Sequence, residues 1–342
     1  MPDGTHGRIL PARDYAPAPW LPGPHLPTLW AALCRHVDLP PLSQERLELP
    51  DGDFLDLTSS PDQIGPWVLI LHGLEGSQDS SYVRAMFAAL HGAGYRAVLM
   101  HFRGCSGTPN RLPRSYHSGD TGDAAAVVSH ITRRYGAPPF AAIGYSLGGN
   151  VLLKWLGESG TTTPFQTAVA VSAPFSLAAC ADRLASGASR LYQWHLVRSM
   201  QARFTAKFGR GDNLLGVKDV RTLDSFWRFD DAVTAPLHGF RDVHDYYARA
   251  SCAQFLSGIA VPTLILHAED DPFVPAYAIP KATELGAAVR LELAAHGGHV
   301  GFVTGNTPGR ARYWLEPRII VHLNEVRAGS GLGVAGYNSR NA

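Results

Sequence analysis

The chain has 342 residues, with Lys+Arg 30 against Asp+Glu 29, a net charge of +1, and 45% hydrophobic residues. That balance supports a sizeable core and gives no basic excess for a nucleic-acid partner. The four cysteines, Cys34, Cys105, Cys180 and Cys252, lie far apart with no C-x-x-C pair, which argues against a disulfide framework and a zinc site. The first residues contain no apolar leader and no run approaches the ~18 apolar residues of a spanning helix, so the expectation is a soluble, cytoplasmic protein with reduced thiols.

Residues 1–44 are expected to form an N-terminal extension, Pro-rich and extended up to about Thr28, which caps a short helix running through Leu33 to His36. Residues 45–57 alternate apolar and polar positions around Asp51-Gly52, a β-hairpin signal. The uninterrupted apolar run 67–71 predicts a strand covered on both faces. Helices are expected over 82–94 and 120–135, with strands at 96–102, 140–145 and 167–172. Between 174 and 256 the rhythm gives way to an aromatic-rich helical stretch, read as an inserted cap. Alternation resumes with a strand at 262–267, a helix around 275–286, a strand at 288–293 and a closing helix over about 310–327. The predicted fold class is α/β: a mostly parallel, doubly wound sheet with an N-terminal β-hairpin. The core takes 45–173 and 257–327, the cap 174–256, and 328–342 forms a Gly/Ser-rich flexible tail.

The chain is organised around Gly144-Tyr-Ser-Leu-Gly148, between an apolar strand and an apolar helix. A G-x-S-x-G elbow holds its serine in a strained turn, so a Cβ at either flanking glycine would meet the neighbouring strand or helix. A serine hydroxyl needs a base to take its proton and an acid to orient that base. Loops after later strands supply both. Of two candidate acids, Asp271 fits a D-x-x-V-P turn and is favoured over Asp270, one residue out of register. His299 is preferred as base over His296, because Gly297-Gly298 let the loop swing its tip toward Ser146. The oxyanion donors are expected to be the backbone N–H of Leu147 and that of Leu74, after His72-Gly73. His72 is read as holding that turn, and Arg103 as pinning its loop through a carboxylate. Cys105 lacks the elbow geometry of a nucleophile. Trp194, Phe208 and Trp227 are candidate pocket-lining aromatics of the cap. No cofactor or metal is called for.

Six ordered motifs resemble the YheT-type α/β-hydrolases (AB-hydrolase family 4), relatives of the eukaryotic ABHD-type lipases and the yeast medium-chain ethanol acyltransferase/esterases. They are His72-Gly-Leu-Glu-Gly-Ser77, His101-Phe-Arg-Gly-Cys-Ser-Gly107, Tyr116-His-Ser-Gly119, Gly144-Tyr-Ser-Leu-Gly-Gly-Asn150, Asp270-Asp-Pro-Phe273 and Gly297-Gly-His-Val-Gly-Phe302. The match runs from about Trp20 to about Glu325 and departs at Cys105-Ser-Gly107, where relatives often carry Cys-Gly-Gly. The resemblance implies an α/β-hydrolase fold and a carboxylic ester hydrolase whose Ser, Asp and His are Ser146, Asp271 and His299. It also implies a small-molecule acyl ester as substrate. Acyl transfer to an alcohol, or thioester cleavage, would share the acyl-enzyme; a non-catalytic binding protein has no need of all three groups.

Overall fold

The computed structural model describes residues 6–60, 64–209 and 215–330. One sheet of nine strands runs through it: β1 (Arg8–Pro11), β2 (Ser43–Glu48), β3 (Phe54–Ser59), β4 (Trp67–Leu71), β5 (Arg96–Met100), β6 (Ala141–Tyr145), β7 (Thr167–Val171), β8 (Thr263–Ala268) and β9 (Val289–Ala294). Their order is β1-β9-β8-β7-β6-β4-β5-β3-β2. Pairing is parallel from β1 across to β5, while β3 runs antiparallel to both β5 and β2.

Strand periodicity splits the core into two. In β4, Leu69 and Leu71 face one cluster and Val68 and Ile70 the other. The first cluster packs α3 (Gly122–Tyr135) and α4 (Leu147–Ser159) through Val127, Ile131, Val151 and Leu152. Across the sheet lie α2 (Ser81–Gly92) and α10 (Leu315–Gly329), through Phe87, Ile319 and Leu323. Because β4 to β5 winds one way and β5 to β6 winds back past β4, the winding reverses between β4 and β6. A sheet of this kind opens its crevice at the carboxyl ends of such strands. The loops after them carry Leu74 and Ser146.

Between β7 and β8 the chain forms α5 (Leu177–Leu184), α6 (Arg190–Phe208), α7 (Phe226–Phe229), α8 (Ala235–Leu237) and α9 (Val243–Ala250). A π-helical turn, Asp230–Thr234, joins α7 to α8. These helices hold apolar clusters of their own, around Ala181, Val197, Phe226 and Tyr247, and around Phe204 and Phe229.

Several predicted elements differ. The Pro-rich start adds a parallel edge strand, since Arg8–Pro11 pairs with Arg290–Leu293 of β9. A four-residue edge strand ending in proline leaves no periodicity to read. The first helix, α1, spans His25–Leu33, and Thr28 lies inside it with its hydroxyl donating to Pro24 O at 2.7 Å. Pro27 is tolerated in its first turn, where no N–H is needed. Residues 275–286 form only two 3₁₀ turns, Ala276–Ala278 and Ala282–Glu284, because Pro280 between them cannot donate an intrahelical bond. Before α10, Arg312–Tyr313 pairs antiparallel with Val303–Thr304. Most of the expected flexible tail, 331–342, lies outside the described residues; positions up to Gly329 belong to α10. No helix among the described residues is long and apolar enough to cross a membrane.

Candidate active site

Ser146 stands between β6 and α4 with φ +49 and ψ −118, a backbone region that L-residues rarely occupy. The two flanking glycines make this possible. A Cβ on Gly144 would sit 2.4 Å from Gly148 O, and one on Gly148 would sit 2.4 Å from Leu71 O. The elbow is therefore wedged between its own helix and the neighbouring strand, and only glycine fits at those positions. Ser146 N–H donates to Val171 O at 2.8 Å, which ties the turn to β7.

The strand ends of β8 and β9 bring the partners. His299 Nε2 lies 2.9 Å from Ser146 Oγ, and His299 Nδ1 lies 2.8 Å and 3.1 Å from the two carboxylate oxygens of Asp271. Burial pushes the Asp271 carboxyl up, but the facing His299, the hydrogen bond between them, His267 and the Phe273 N–H outweigh it and hold the group below its ordinary value. An ionised carboxylate can only accept, so Nδ1 is the donor and Nε2 is left to accept from the serine hydroxyl. The two aspartates of the 270–271 pair diverge. Asp270 Oδ1 accepts from Gly297 N and Gly298 N at 2.9 Å and 3.0 Å, and Oδ2 faces His296 Nδ1 at 3.2 Å. Asp270 shapes the loop, while Asp271 faces the imidazole. His296 is exposed and His299 largely enclosed, with side-chain exposures of 67% and 9%.

Other contacts fix the imidazole, and nothing local in the sequence announced them. Thr28 Oγ1 accepts from His299 N at 2.9 Å, and Ser172 Oγ accepts from Val300 N at 3.1 Å. The Phe273 ring stacks on His299 at 4.0 Å, with 1° between planes. Val300 and Phe302 both take positive φ, a strained loop kept in place by these bonds.

Leu74 and Leu147 line the same cavity as Ser146 and His299. Leu147 opens α4, so its N–H has no intrahelical acceptor and lies at the positive end of the helix dipole. The Leu74 turn is held from behind: Tyr82 OH accepts from Gly73 N at 2.8 Å, and His72 Nε2 accepts from Phe102 N at 3.1 Å. Glu75, at φ +58, accepts from Tyr116 OH, Ser199 Oγ and Arg203 Nε at 2.9 Å, 2.6 Å and 3.0 Å, tying this turn to α6. Arg103 is consumed by Asp51, Asp53 and Asp123 and pins its loop. Burial pushes the Cys105 thiol up to about 12, far from a thiolate.

The cavity has a volume of about 460 Å³ and its wall is mostly apolar. Leu196, Met200, Phe204 and Phe208 of α6 line it at four-residue spacing, together with Phe226 and Val233. Phe208 is thus in the wall, whereas Trp194 and Trp227 are not. Trp194 lies about 200° around the helix from Leu196, on the solvent side, 58% exposed and beneath the Arg198 guanidinium at 5.1 Å. Trp227 packs on Tyr247 and donates from Nε1 to Asp182 at 2.8 Å.

A sharp strand–serine–helix turn at a parallel-sheet crevice, with a histidine and an aspartate from later strands, is the arrangement of one large enzyme family, and residues 66–306 match that family by its description, alpha/beta hydrolase fold. The chain belongs to the α/β-hydrolase family. Among relatives of this hydrolase, a candidate esterase of Escherichia coli (strain K12), YheT, is 45% identical over 305 residues, covering 86% of this chain and 88% of that protein. Phospholipase ABHD3 of Mus musculus is 32% identical over 310 residues, covering 84% of this chain and 75% of the other. Among solved structures, the Pyrococcus furiosus esterase Pf2001 is similar with a TM-score of 0.55 at 15% identity, over 85% of the hydrolase and 98% of that chain, a likeness of fold.

Proposed function

We propose that the protein hydrolyses carboxylic esters of short or medium acyl chains through an acyl-enzyme on Ser146. The observation that carries this reading is the unbroken line Ser146 Oγ, His299, Asp271, with 2.9 Å and 2.8 Å between successive polar atoms, its serine and histidine lining an apolar cavity. In the reaction, His299 Nε2 takes the serine proton as Oγ attacks the acyl carbon, and Asp271 stabilises the imidazolium without taking its proton. The Leu74 and Leu147 N–H groups receive the oxyanion, a contribution worth on the order of 10²–10³ in turnover per donor. His299 then protonates the departing alcohol, and a water, activated by the same imidazole, releases the acid. The helices between β7 and β8 act as a cap whose apolar wall takes the acyl chain. The names of the esterase and lipase relatives support the same bond class.

A series of p-nitrophenyl esters of increasing acyl length tests this. While the chain is filling the cavity, kcat/KM should rise by up to about fourfold per methylene, then fall when the cavity is full. Hydrolysis indifferent to chain length would contradict the assignment of the cavity. Product analysis with added ethanol separates acyl transfer from hydrolysis, because an ethyl ester forms only if alcohol competes with water for the acyl-enzyme.

A further inference from the structure

Five of the ten exposed large apolar side chains among the described residues sit on two helices. On α1 they are Leu26, Leu29 and Leu33, exposed by 44%, 42% and 74%; on α6 they are Leu191 and Trp194, at 72% and 58%. Positions 26, 29 and 33 follow helical spacing, so α1 turns a continuous apolar stripe to solvent while burying Pro27, Thr28 and Ala31. The two helices touch where both begin: His25 Nδ1 is 3.1 Å from Tyr192 OH, with the rings stacked at 5.7 Å.

This face borders the candidate active site. Thr28 of α1 holds the His299 backbone, Ser189 before α6 donates to Pro272 O at 2.7 Å, and Tyr192 packs on Phe273 at 4.8 Å. The loop after Asp271 adds a further exposed aromatic, Tyr277, at 78%. A monomer has no packing reason to expose such a cluster beside its active site.

Charge narrows the occupant. Neither α1 nor α6 contains a single Asp or Glu, and α6 carries Arg190, Arg198, Arg203 and Lys207. Arg203 turns inward to Glu75, but Arg190 and Arg198 are exposed beside Leu191 and Trp194. In a chain whose overall charge is only +1, this is a local cationic excess. Leucine and tryptophan set among arginines, with no carboxylate, is the composition of a helix that lies in a lipid interface. We propose that α1 and the first two turns of α6 dock the protein on an anionic lipid surface, which delivers esters to the Ser146 cavity. The delivery clause rests on the ester-hydrolase reading; the docking does not.

Flotation of the full chain with vesicles of phosphatidylcholine, or of phosphatidylcholine mixed with phosphatidylglycerol, tests the docking. Wild type should float with the mixed vesicles, less with the neutral ones, and progressively less as salt is raised. Leu29→Ser with Leu33→Ser, Leu191→Ser alone, and Arg190→Glu with Arg198→Glu should each weaken binding by about tenfold or more. Turnover of a soluble short-chain ester should stay unchanged, which also shows that the variants fold. Wild type that fails to float, or variants that float as well as wild type, would overturn the proposal. So would a solution dimer that the leucine substitutions dissociate, since a second copy would then be the occupant. Loss of ester turnover in wild type would instead strike the reading of Ser146 and leave vesicle binding intact.

Discussion

Ser146→Ala should lower kcat for a short acyl ester by roughly 10⁴- to 10⁶-fold while leaving the fold intact. The serine is the nucleophile in this account, so nothing else in the cavity can substitute for it: burial raises the Cys180 thiol in the wall well above its ordinary value, and Cys105, which is not part of the lining, is held protonated in the same way. His299→Ala should cost about as much, because residues acting as one unit are not additive. Asp271→Asn should cost a factor on the order of 10²–10⁴, since the imidazole loses its orienting partner. Asp270→Asn is the informative contrast. It faces His296 and two backbone N–H groups rather than His299, so its effect should come through loop position, as a smaller loss with reduced thermal stability. Steady-state kinetics with circular dichroism of each variant checks the set. Asp270→Asn exceeding Asp271→Asn in its effect on kcat would reverse the assignment.

The second large effect is acid sensitivity. Burial is the first cause that depresses His72, His117, His238 and His322 to about 3 and His267 to about 4. In the unfolded chain such groups titrate near 6.5. Below that value the unfolded state binds five protons that the native state does not, so stability is full above pH 6.5 and is lost as pH falls toward 4. Asp230, raised by burial to about 6, acts in the opposite sense, as do Asp120 and Asp123, also raised by burial, while His101, lowered by burial, joins the five histidines. About three protons net remain, or on the order of 4 kcal/mol lost per pH unit. A folding free energy of about 5–15 kcal/mol cannot survive more than about one to four such units. Urea unfolding at successive pH values should therefore show a steep decline beginning just below pH 6.5, with acid unfolding below about pH 5. A stability that stays level from pH 7 to pH 5 would contradict the neutral, buried state of these histidines.

The parts of the site legible in the sequence are those where backbone geometry restricts residue type. Gly144 and Gly148 are required by atoms 2.4 Å from where a Cβ would stand, and that requirement marks Ser146. Asp271 and His299 follow apolar runs that can only be strands, so topology places them on the same rim. Orientation around a helix was harder to read. Apolar residues occur on nearly every side of α6, and composition could not say that Leu196 and Phe208 face the cavity while Trp194 faces out. Contacts between segments far apart in sequence were beyond reach, as with Thr28 on His299 N and Ser199 on Glu75. A hydroxyl that accepts one long-range bond carries no periodic or local signal. The edge strand Arg8–Pro11 was invisible for a related reason, because its pairing partner lies more than 270 residues away.

The most direct measurement is to react the full chain with a fluorophosphonate and map the adduct by peptide mass spectrometry. A single phosphonyl group is expected on Ser146, formed rapidly in wild type, at least about 10²-fold more slowly in His299→Ala, and absent in Ser146→Ala. Folded wild-type protein that stays unlabelled, or that carries the adduct at another residue, would contradict it.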